Sequence, residues 1–375
     1  MTAHEKRKIV VIFGGRSGEH DVSLMSARSV LETLDPEKVE IIQVGITHDG
    51  VWLSGENVLD AMIAGETDEL FPVTLLPDPT RPGLYRLDTN RDGGKLDLLT
   101  EFDLVFPVLH GTFGEDGTLQ GLFEMAGVAY VGAGVVGAAV GMDKGIFKDV
   151  MRSHGIPVVE AVVALRSEIE SNMDAVLDRA EALAGYPLFV KPANMGSSVG
   201  VTKCTSRADL LEGLMEAARF DRRILIERGI NAREIEISVL GNDNPKASIP
   251  GEIRPAAEFY SYEAKYHDDR SELFIPARIP DELADEIRDV AVRAYRAIDC
   301  AGMARVDFML DRDTGEYYLN ELNTIPGFTQ ISMYPKLWEA SGLPYPDLVD
   351  RLIELALQRR AERDRTEWRY QRPGS

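Results

Sequence analysis

The sequence predicts an α/β protein of two or three domains that opens with a parallel, doubly wound unit. Three observations lead there. At 375 residues the chain is too long for one ordinary core. Its first fifty residues run strand, glycine-rich turn, helix, strand, the order of a parallel crossover unit. Nearer the C-terminus, two strand-like runs carry polar residues at alternate positions where a core is expected.

The elements follow in order. Residues 8–13 form the first strand, and Gly14-Gly15-Arg16-Ser17-Gly18-Glu19-His20 turns into a helix over about 21–34, then a strand near 39–46. Residues 52–100, punctuated by Pro72, Pro77, Pro79 and Pro82, read as an insertion of loops and short edge strands. A buried strand over 103–109 ends in His110-Gly111. The second unit begins near residue 133, and Met142-Asp143-Lys144 opens a helix to about Ser153. Gly155 stands where a left-handed cap belongs, with Pro157 after it. Strands at 158–165, 187–191 and 224–227 bracket a glycine–serine loop and a helix near 207–219. The third unit has an amphipathic helix from Asp281, with Leu283, Ile287, Val290, Ala291, Ala294 and Ile298 on one face. The paired strands come next, then a helix over 345–357. The charged stretch from Arg359 to Ser375 lacks an apolar period and is expected to fray. The domains so drawn are 1–132, 133–230 and 231–375.

Composition narrows the function. A net charge of −21 argues against nucleic acid as a partner, because a phosphate backbone needs a basic surface. A phosphorylated small molecule stays open, since a pocket can be locally basic. Cys204 and Cys300 have neither metal nor redox spacing and read as reduced, structural thiols. The apolar run after the N-terminal charges is too short for a signal peptide, and nothing approaches the roughly 20 apolar residues of a membrane span. A cytoplasmic protein is expected.

The residues 302–332 carry the most chemistry. Arg305 and Asp307 alternate with Val306 and Phe308; beyond the turn at 311–315, Glu321 and Asn323 flank Leu322. Side chains repeat every two residues along a strand, so each polar pair shares a face. A hairpin closed at that turn sets residue 305 opposite 321 and leaves Asp307 and Glu321 as diagonal neighbours, about 7–8 Å apart. Two carboxylates and an amide converging beside an arginine suggest an oxygen-ligand site for a hard cation such as Mg²⁺. A merely solvated polar face is the alternative; the apolar setting and the abrupt loop at 323–327 speak against it.

Other segments point to an anionic ligand. The loop Lys191-Pro192-Ala193-Asn194-Met195-Gly196-Ser197-Ser198-Val199-Gly200 leaves an apolar strand, with glycines that admit a phosphate and two serine hydroxyls. It is not a Walker loop. Lys191 at a strand end and Lys144 at a helix start make anion binding the better reading over a surface hairpin. The strand and linker through Glu227, Arg228, Gly229 and Ile230 offer a backbone edge to a flat heterocycle, and Glu234 could take ribose hydroxyls; a plain linker reads as well. The aromatic run at 259–266 is either packing or a mobile loop that brings Lys265 and Tyr266 over a substrate. Glu19 and His110 each follow a strand of the first unit, so both face the crevice at the strands' carboxyl ends.

The ordered set GGRSGEHDVS, HGTFGEDGTLQG, MDK, KPANMGSSVG, EAKY, ARVDF and NELNTIPGFT resembles the D-alanine–D-alanine ligase family of the ATP-grasp superfamily. The resemblance spans nearly the whole chain, least over residues 52–100 and the tail. It implies a three-domain ATP-grasp fold and ATP-dependent joining of two D-alanines, for peptidoglycan precursors, through an acyl phosphate. It implies that Lys144, Lys191 and Ser198 contact the phosphates, that 227–230 meet adenine and Glu234 the ribose. Asp307, Glu321 and Asn323 would hold two Mg²⁺, with Mn²⁺ able to substitute. Glu19 would receive the first substrate's ammonium and His110 its carboxylate; Ser197, Tyr266 and Glu19 would form a closing chain. Lys265 and Ser332 would bind the second carboxylate, with Arg305 and the Gly327 N–H on the oxyanion. Tyr266 favours an amine over a hydroxy-acid acceptor. A homodimer is implied as well. The rivals are another ATP-grasp carboxylate–amine ligase, a D-alanine–D-lactate ligase, a non-catalytic nucleotide-binding module, and a dehydrogenase, whose G-x-G-x-x-G spacing GGRSGEH lacks.

Overall fold

The computed structural model describes residues 6–88, 94–254 and 272–367. Its first sheet has eight strands in the order β6-β5-β4-β3-β2-β1-β7-β8. They are β1 Arg7–Gly14, β2 Val39–Ile46, β3 Trp52–Ser54, β4 Phe71–Leu75, β5 Leu84–Asp88, β6 Lys95–Thr100, β7 Leu104–Val108 and β8 Ala129–Tyr130. The β2-β1-β7-β8 half is parallel. Ile9 to Phe13 are fully buried, as a strand covered on both faces must be. Residues 52–100 are more regular than loops with short edge strands: they add four antiparallel strands and a helix, Val58–Ala64.

A second, antiparallel sheet runs β11-β10-β12-β9, from β9 Ala161–Leu165, β10 Leu188–Pro192, β11 Thr202–Cys204 and β12 Arg223–Arg228. Two helices that the sequence pattern did not suggest, Arg166–Ser171 and Met173–Leu183, join the helix Arg207–Phe220 around this sheet's core. The third sheet is antiparallel and runs β16-β15-β13-β17-β18, with β14 beside β13. These are β13 Ala232–Leu240, β14 Lys246–Ala247, β15 Gly251–Arg254, β16 Glu272–Phe274, β17 Met303–Asp311 and β18 Tyr317–Asn323. Helix Asp281–Ala297 lays Ile287, Val290, Ala291 and Ala294 onto its core, as its periodicity predicts.

The C-terminal segment departs from expectation. Helix Tyr345–Arg363 does not fray at Arg359. Its Leu348, Leu352 and Ile353 share a core with Leu104, Phe106 and Val108 of the first sheet. Arg359 donates to Tyr130 O (3.2 Å) and lies over the Tyr130 ring, and Arg363 reaches Glu124 O (3.1 Å). The charged positions are thus a clamp onto the first sheet, a role that periodicity could not reveal. Residues 368–375 lie outside the described residues.

Candidate active site

The hairpin register differs from the expected one by two residues. Asp307 stands directly opposite Glu321, and Arg305 opposite Asn323. Asp311 N donates to Glu316 O (2.8 Å), so the turn is one residue longer than expected. Asn320 is then an extra residue, because Phe308 pairs with Leu319 while Asp307 pairs with Glu321. Without that bulge Glu321 would oppose Val306 and turn into the core. The direct pairing brings the two carboxylates nearer than the diagonal one, about 4.5–5.5 Å between Cβ atoms.

Arg305 holds this face together. Its Nε and Nη2 donate to Asp307 Oδ1 (2.8 Å) and Oδ2 (2.7 Å), and Nε lies 3.1 Å from Glu236 Oε2. Burial opposes its charge, but Asp307 and Glu236 more than offset that and hold the guanidinium charged. Asn323 Nδ2 donates to Asp307 Oδ2 at 3.0 Å. Asp307 therefore accepts three of the about four hydrogen bonds a carboxylate can take. The hard oxygen donors of Asp307, Glu321 and Asn323 fit Mg²⁺ or Mn²⁺ and would not favour a soft metal.

Lys144 links the hairpin to the glycine–serine loop. Asp143 caps its helix, Lys144–Ser153, accepting from Gly145 N (3.0 Å) and Ile146 N (2.9 Å), and Arg223 Nη1 holds the other oxygen at 2.7 Å. From that anchored first turn, Lys144 Nζ donates to Met195 O (2.8 Å) and lies 3.6 Å from Glu321 Oε2. One turn on, Lys148 is buried with its Nζ 2.6 Å from Glu227 Oε1, while Lys191 Nζ lies 2.5 Å from Glu227 Oε2. Burial alone would raise the Glu227 pKa; Lys191 and Lys148 together push it down to about 2. Lys191 is raised despite burial, by Glu227 first and then by Glu321 and Glu234. Burial lowers Lys148, against the pull of Glu227.

The linker is less open than the sequence suggested. Arg228 N donates to Glu160 O (3.1 Å) and Gly229 N to Pro187 O (2.9 Å), so these donors are committed within the protein. The Arg228 side chain turns away to Glu160 (2.8 Å) and the Tyr318 ring. Ile230 follows at the turn into β13, on which Glu234 sits.

The other half of the site is assembled from loops. Glu19 precedes the helix His20–Thr33, after Gly14 and Gly15 at φ +85° and +106°. Ser197 donates a short hydrogen bond to its Oε1. A methyl group at Gly196 would come 2.3 Å from Glu19 Oε2, and one at Gly111 2.5 Å, so two glycine backbones enclose the carboxylate. Ser197 and Ser198 hold φ of 47° and 59°, a conformation that strains a non-glycine residue by about 1–2 kcal/mol each. Ser17 donates to His110 O (2.8 Å) and accepts from Glu19 N (3.1 Å).

His110 and Glu115 carry the loop after β18. Nδ1 of His110 meets Ile325 O at 2.8 Å, which makes it the N–H; Nε2 then accepts from Ser26 Oγ at 2.9 Å. Ser26 Oγ accepts from Phe328 N (3.3 Å), and Glu115 from Ile325 N (3.0 Å) and Gly111 N (3.3 Å). Burial lowers the His110 pKa and keeps the ring neutral. Burial, then the charge of Glu19, pushes the Glu115 carboxyl well above the usual range. The loop that leaves β18 is thus fastened to the first sheet by Ile325 and Phe328, which sets the hairpin beside the loop pocket. In the loop between, Ser332 Oγ accepts from Thr329 N (3.1 Å) and lies close to Gly327.

Lys265 and Tyr266 lie outside the described residues. Cys204 and Cys300 are buried free thiols, as expected. Among the described residues, His20, Asp21 and His48 form the one cluster of three potential ligands from histidine, cysteine, aspartate or glutamate. The two rings stack with centroids 3.8 Å apart. Two imidazoles bound at about 2.0 Å to one ion hold their centroids roughly 5 Å apart, so the stack is packing.

The description "D-ala D-ala ligase N-terminus" matches residues 8–133, and "D-ala D-ala ligase C-terminus" matches 150–354. The chain belongs to the D-alanine–D-alanine ligase family. A D-alanine–D-alanine ligase of Heliobacterium modesticaldum is 51% identical over 360 residues, covering 96% of this chain and 97% of that one. Another, from Natranaerobius thermophilus, is 48% identical over 362 residues, covering 96% and 98%. Among solved structures, the D-alanine–D-alanine ligase from Coxiella burnetii aligns with TM-score 0.79 and 37% identity over 96% of this chain and 97% of that one. The VanG D-Ala:D-Ser ligase from Enterococcus faecalis aligns with TM-score 0.82 and 36% identity over 94% and 100%. The fold is the ATP-grasp fold of these ligases.

In this D-alanine–D-alanine ligase family member, four residues of the site carry no individual signal in the sequence: Ser26, Glu115, Lys148 and Glu236. Glu115 lies inside the HGTFGEDG motif. Lys148 follows Lys144 by four residues on one helix face. Like charges at that spacing repel, so a shared counter-ion such as Glu227 could have been sought.

Proposed function

We propose that this protein joins two D-alanines to D-alanyl-D-alanine, converting ATP to ADP and phosphate and supplying a peptidoglycan precursor. The carrying observation is that the loop after β18 is tied to the crevice of the first sheet, His110 Nδ1 meeting Ile325 O at 2.8 Å and Glu115 accepting from Ile325 N at 3.0 Å. Ser197 bonds Glu19 and Lys144 lies 3.6 Å from Glu321, so a small zwitterion and a polyphosphate can meet between the Glu19 pocket and the hairpin. Glu19 receives the ammonium of the first D-alanine, with its carboxylate toward His110. Lys144, Lys191 and Ser198 bind the phosphates; residues 227–230 take the adenine, through Ile230 and carbonyl groups at the committed linker, and Glu234 takes the ribose. Mg²⁺ held by Asp307, Glu321 and Asn323 would neutralise phosphate charge.

The first step moves the γ-phosphoryl group to the D-alanine carboxylate, with ADP leaving. Bringing two anions together is the physical problem; Lys144, Lys191 and Lys265 supply positive charge, and the hairpin carboxylates would add to it only through the Mg²⁺ they hold. The amine of the second D-alanine, its carboxylate held by Ser332 and Lys265, attacks the acyl carbon. Arg305 and the Gly327 N–H stabilise the oxyanion, and phosphate departs. Ser197, Glu19 and Tyr266 keep water from the acyl phosphate. The three domains drawn from the sequence, and a homodimer, belong to the same proposal.

The test is D-alanine-dependent phosphate release with ATP and Mg²⁺, with L-alanine, D-serine, D-lactate and metal-free controls and mass spectrometry of the product. D-alanyl-D-alanine formed only with D-alanine and Mg²⁺ is expected. Phosphate release indifferent to D-alanine would overturn the reading, and a mixed product only with D-serine or D-lactate would reassign the acceptor.

A further inference from the structure

Lys148 has no place in the chemistry above, yet it is the most thoroughly buried charged side chain of the site, with 1% of its side chain exposed. Its ammonium meets Glu227 Oε1 at 2.6 Å and Val159 O at 3.4 Å. Lys191 meets the other oxygen of the same carboxylate at 2.5 Å and is 13% exposed. Two lysines and one carboxylate leave this cluster a net charge of +1. The asymmetry between the lysines matters. Lys148 is enclosed, whereas Lys191 is the more exposed of the two and stands near the end of β10, where the glycine–serine loop leaves it.

A buried carboxylate stripped of its only cation is strongly unfavourable. If Glu227 had Lys191 alone, turning Lys191 toward a phosphate would leave such an ion behind. With Lys148 in place, Glu227 stays neutralised whichever way Lys191 points. We propose that Lys148 is a positioning residue for nucleotide binding: it holds Glu227 so that Lys191 is released to the ATP phosphates. This rests on the ligase reading above and adds to it a residue that touches neither substrate nor metal.

The experiment measures the affinity of a non-hydrolysable ATP analogue by calorimetry, together with ATP KM and kcat, for wild type, Lys148→Met, Glu227→Gln and the double variant Lys148→Met/Glu227→Gln. Lys148→Met leaves a neutral Glu227–Lys191 pair and no orphan charge, so the fold is expected to persist; thermal melting checks this. Nucleotide affinity should fall about tenfold or more, the scale of one charge-assisted hydrogen bond, with kcat at saturating ATP within about threefold of wild type. Because Glu227 also lies in the adenine stretch, the double variant is read against Glu227→Gln alone: nothing clamps Lys191 in either, and the two should bind the analogue alike and more tightly than Lys148→Met. Wild-type affinity in Lys148→Met, or equal weakening in Lys148→Met and the double variant, would overturn the proposal, because a merely structural lysine would not be rescued by removing Glu227. A wild-type protein that binds no nucleotide would instead sink the ligase reading itself.

Discussion

The two halves of this site are encoded in different ways. The hairpin face draws Arg305, Asp307, Glu321 and Asn323 from one pair of adjacent strands, through register alone. The Glu19 pocket brings together groups far apart in the chain: Ser197 is 178 residues from Glu19, Ile325 is 215 from His110, and Phe328 is 302 from Ser26. A local error on the hairpin therefore flips a whole face, whereas an error in the pocket displaces one group among several loops.

The sharpest way to break that contrast is to insert one alanine between Asn320 and Glu321. The inserted residue would take the place opposite Asp307, sending Glu321 opposite Val306 toward the core and Leu322 outward. Loss of all ligase activity and about 3 kcal/mol or more of unfolding free energy is expected in urea titration. Retained activity would mean that the register is not what positions Glu321. Next in size is Arg305→Met, which removes the proposed oxyanion donor and the cation between Asp307 and Glu236. A fall in kcat of about 10²–10³-fold is expected in the coupled phosphate assay.

Gly196→Ala probes the loop side. A methyl group 2.3 Å from Glu19 Oε2 must displace that carboxylate. The expected result is about a 10- to 100-fold drop in kcat/KM for D-alanine with the KM for ATP unchanged. Equal damage to both substrates would show that the two halves are less independent than their construction implies. The smallest effect concerns His110. Burial lowers its pKa, so the unfolded chain takes up a proton before the folded one does. Its contribution to stability should decline as pH falls below about 6.5, the ordinary histidine value, until the folded group titrates. The raised Glu115 carboxyl contributes the opposite slope, so the readout is the difference in urea midpoint between wild type and His110→Gln from pH 7.5 to 5, which should shrink as pH falls.

Much of this was legible in the sequence. The apolar run at residues 9–13 could only be a strand buried on both faces, and the helix after Asp143 begins and ends where its cap and Gly155 require. Asp307 and Glu321 were visible as a pair because strand periodicity is local. Their direct opposition was not, since a one-residue bulge leaves no mark in composition. Lys191 could be read as a phosphate lysine, but its tie to Glu227 depends on β10 lying beside β12. The arginines of the last helix looked like a solvated tail because their partners, Tyr130 O and Glu124 O, are over 200 residues away.

What the sequence determined by itself is most of the elements, though not the strands of residues 52–100 or the two helices after β9, together with the candidate metal and phosphate residues and the family. Those follow from short-range periodicity, capping and motif spacing. Only the tertiary structure decided which cation meets which carboxylate: Arg305 on Asp307, Lys148 and Lys191 on one Glu227, and Glu19 between two glycine backbones. Charge pairing and close backbone approach act through space, over distances in the chain that no local pattern records.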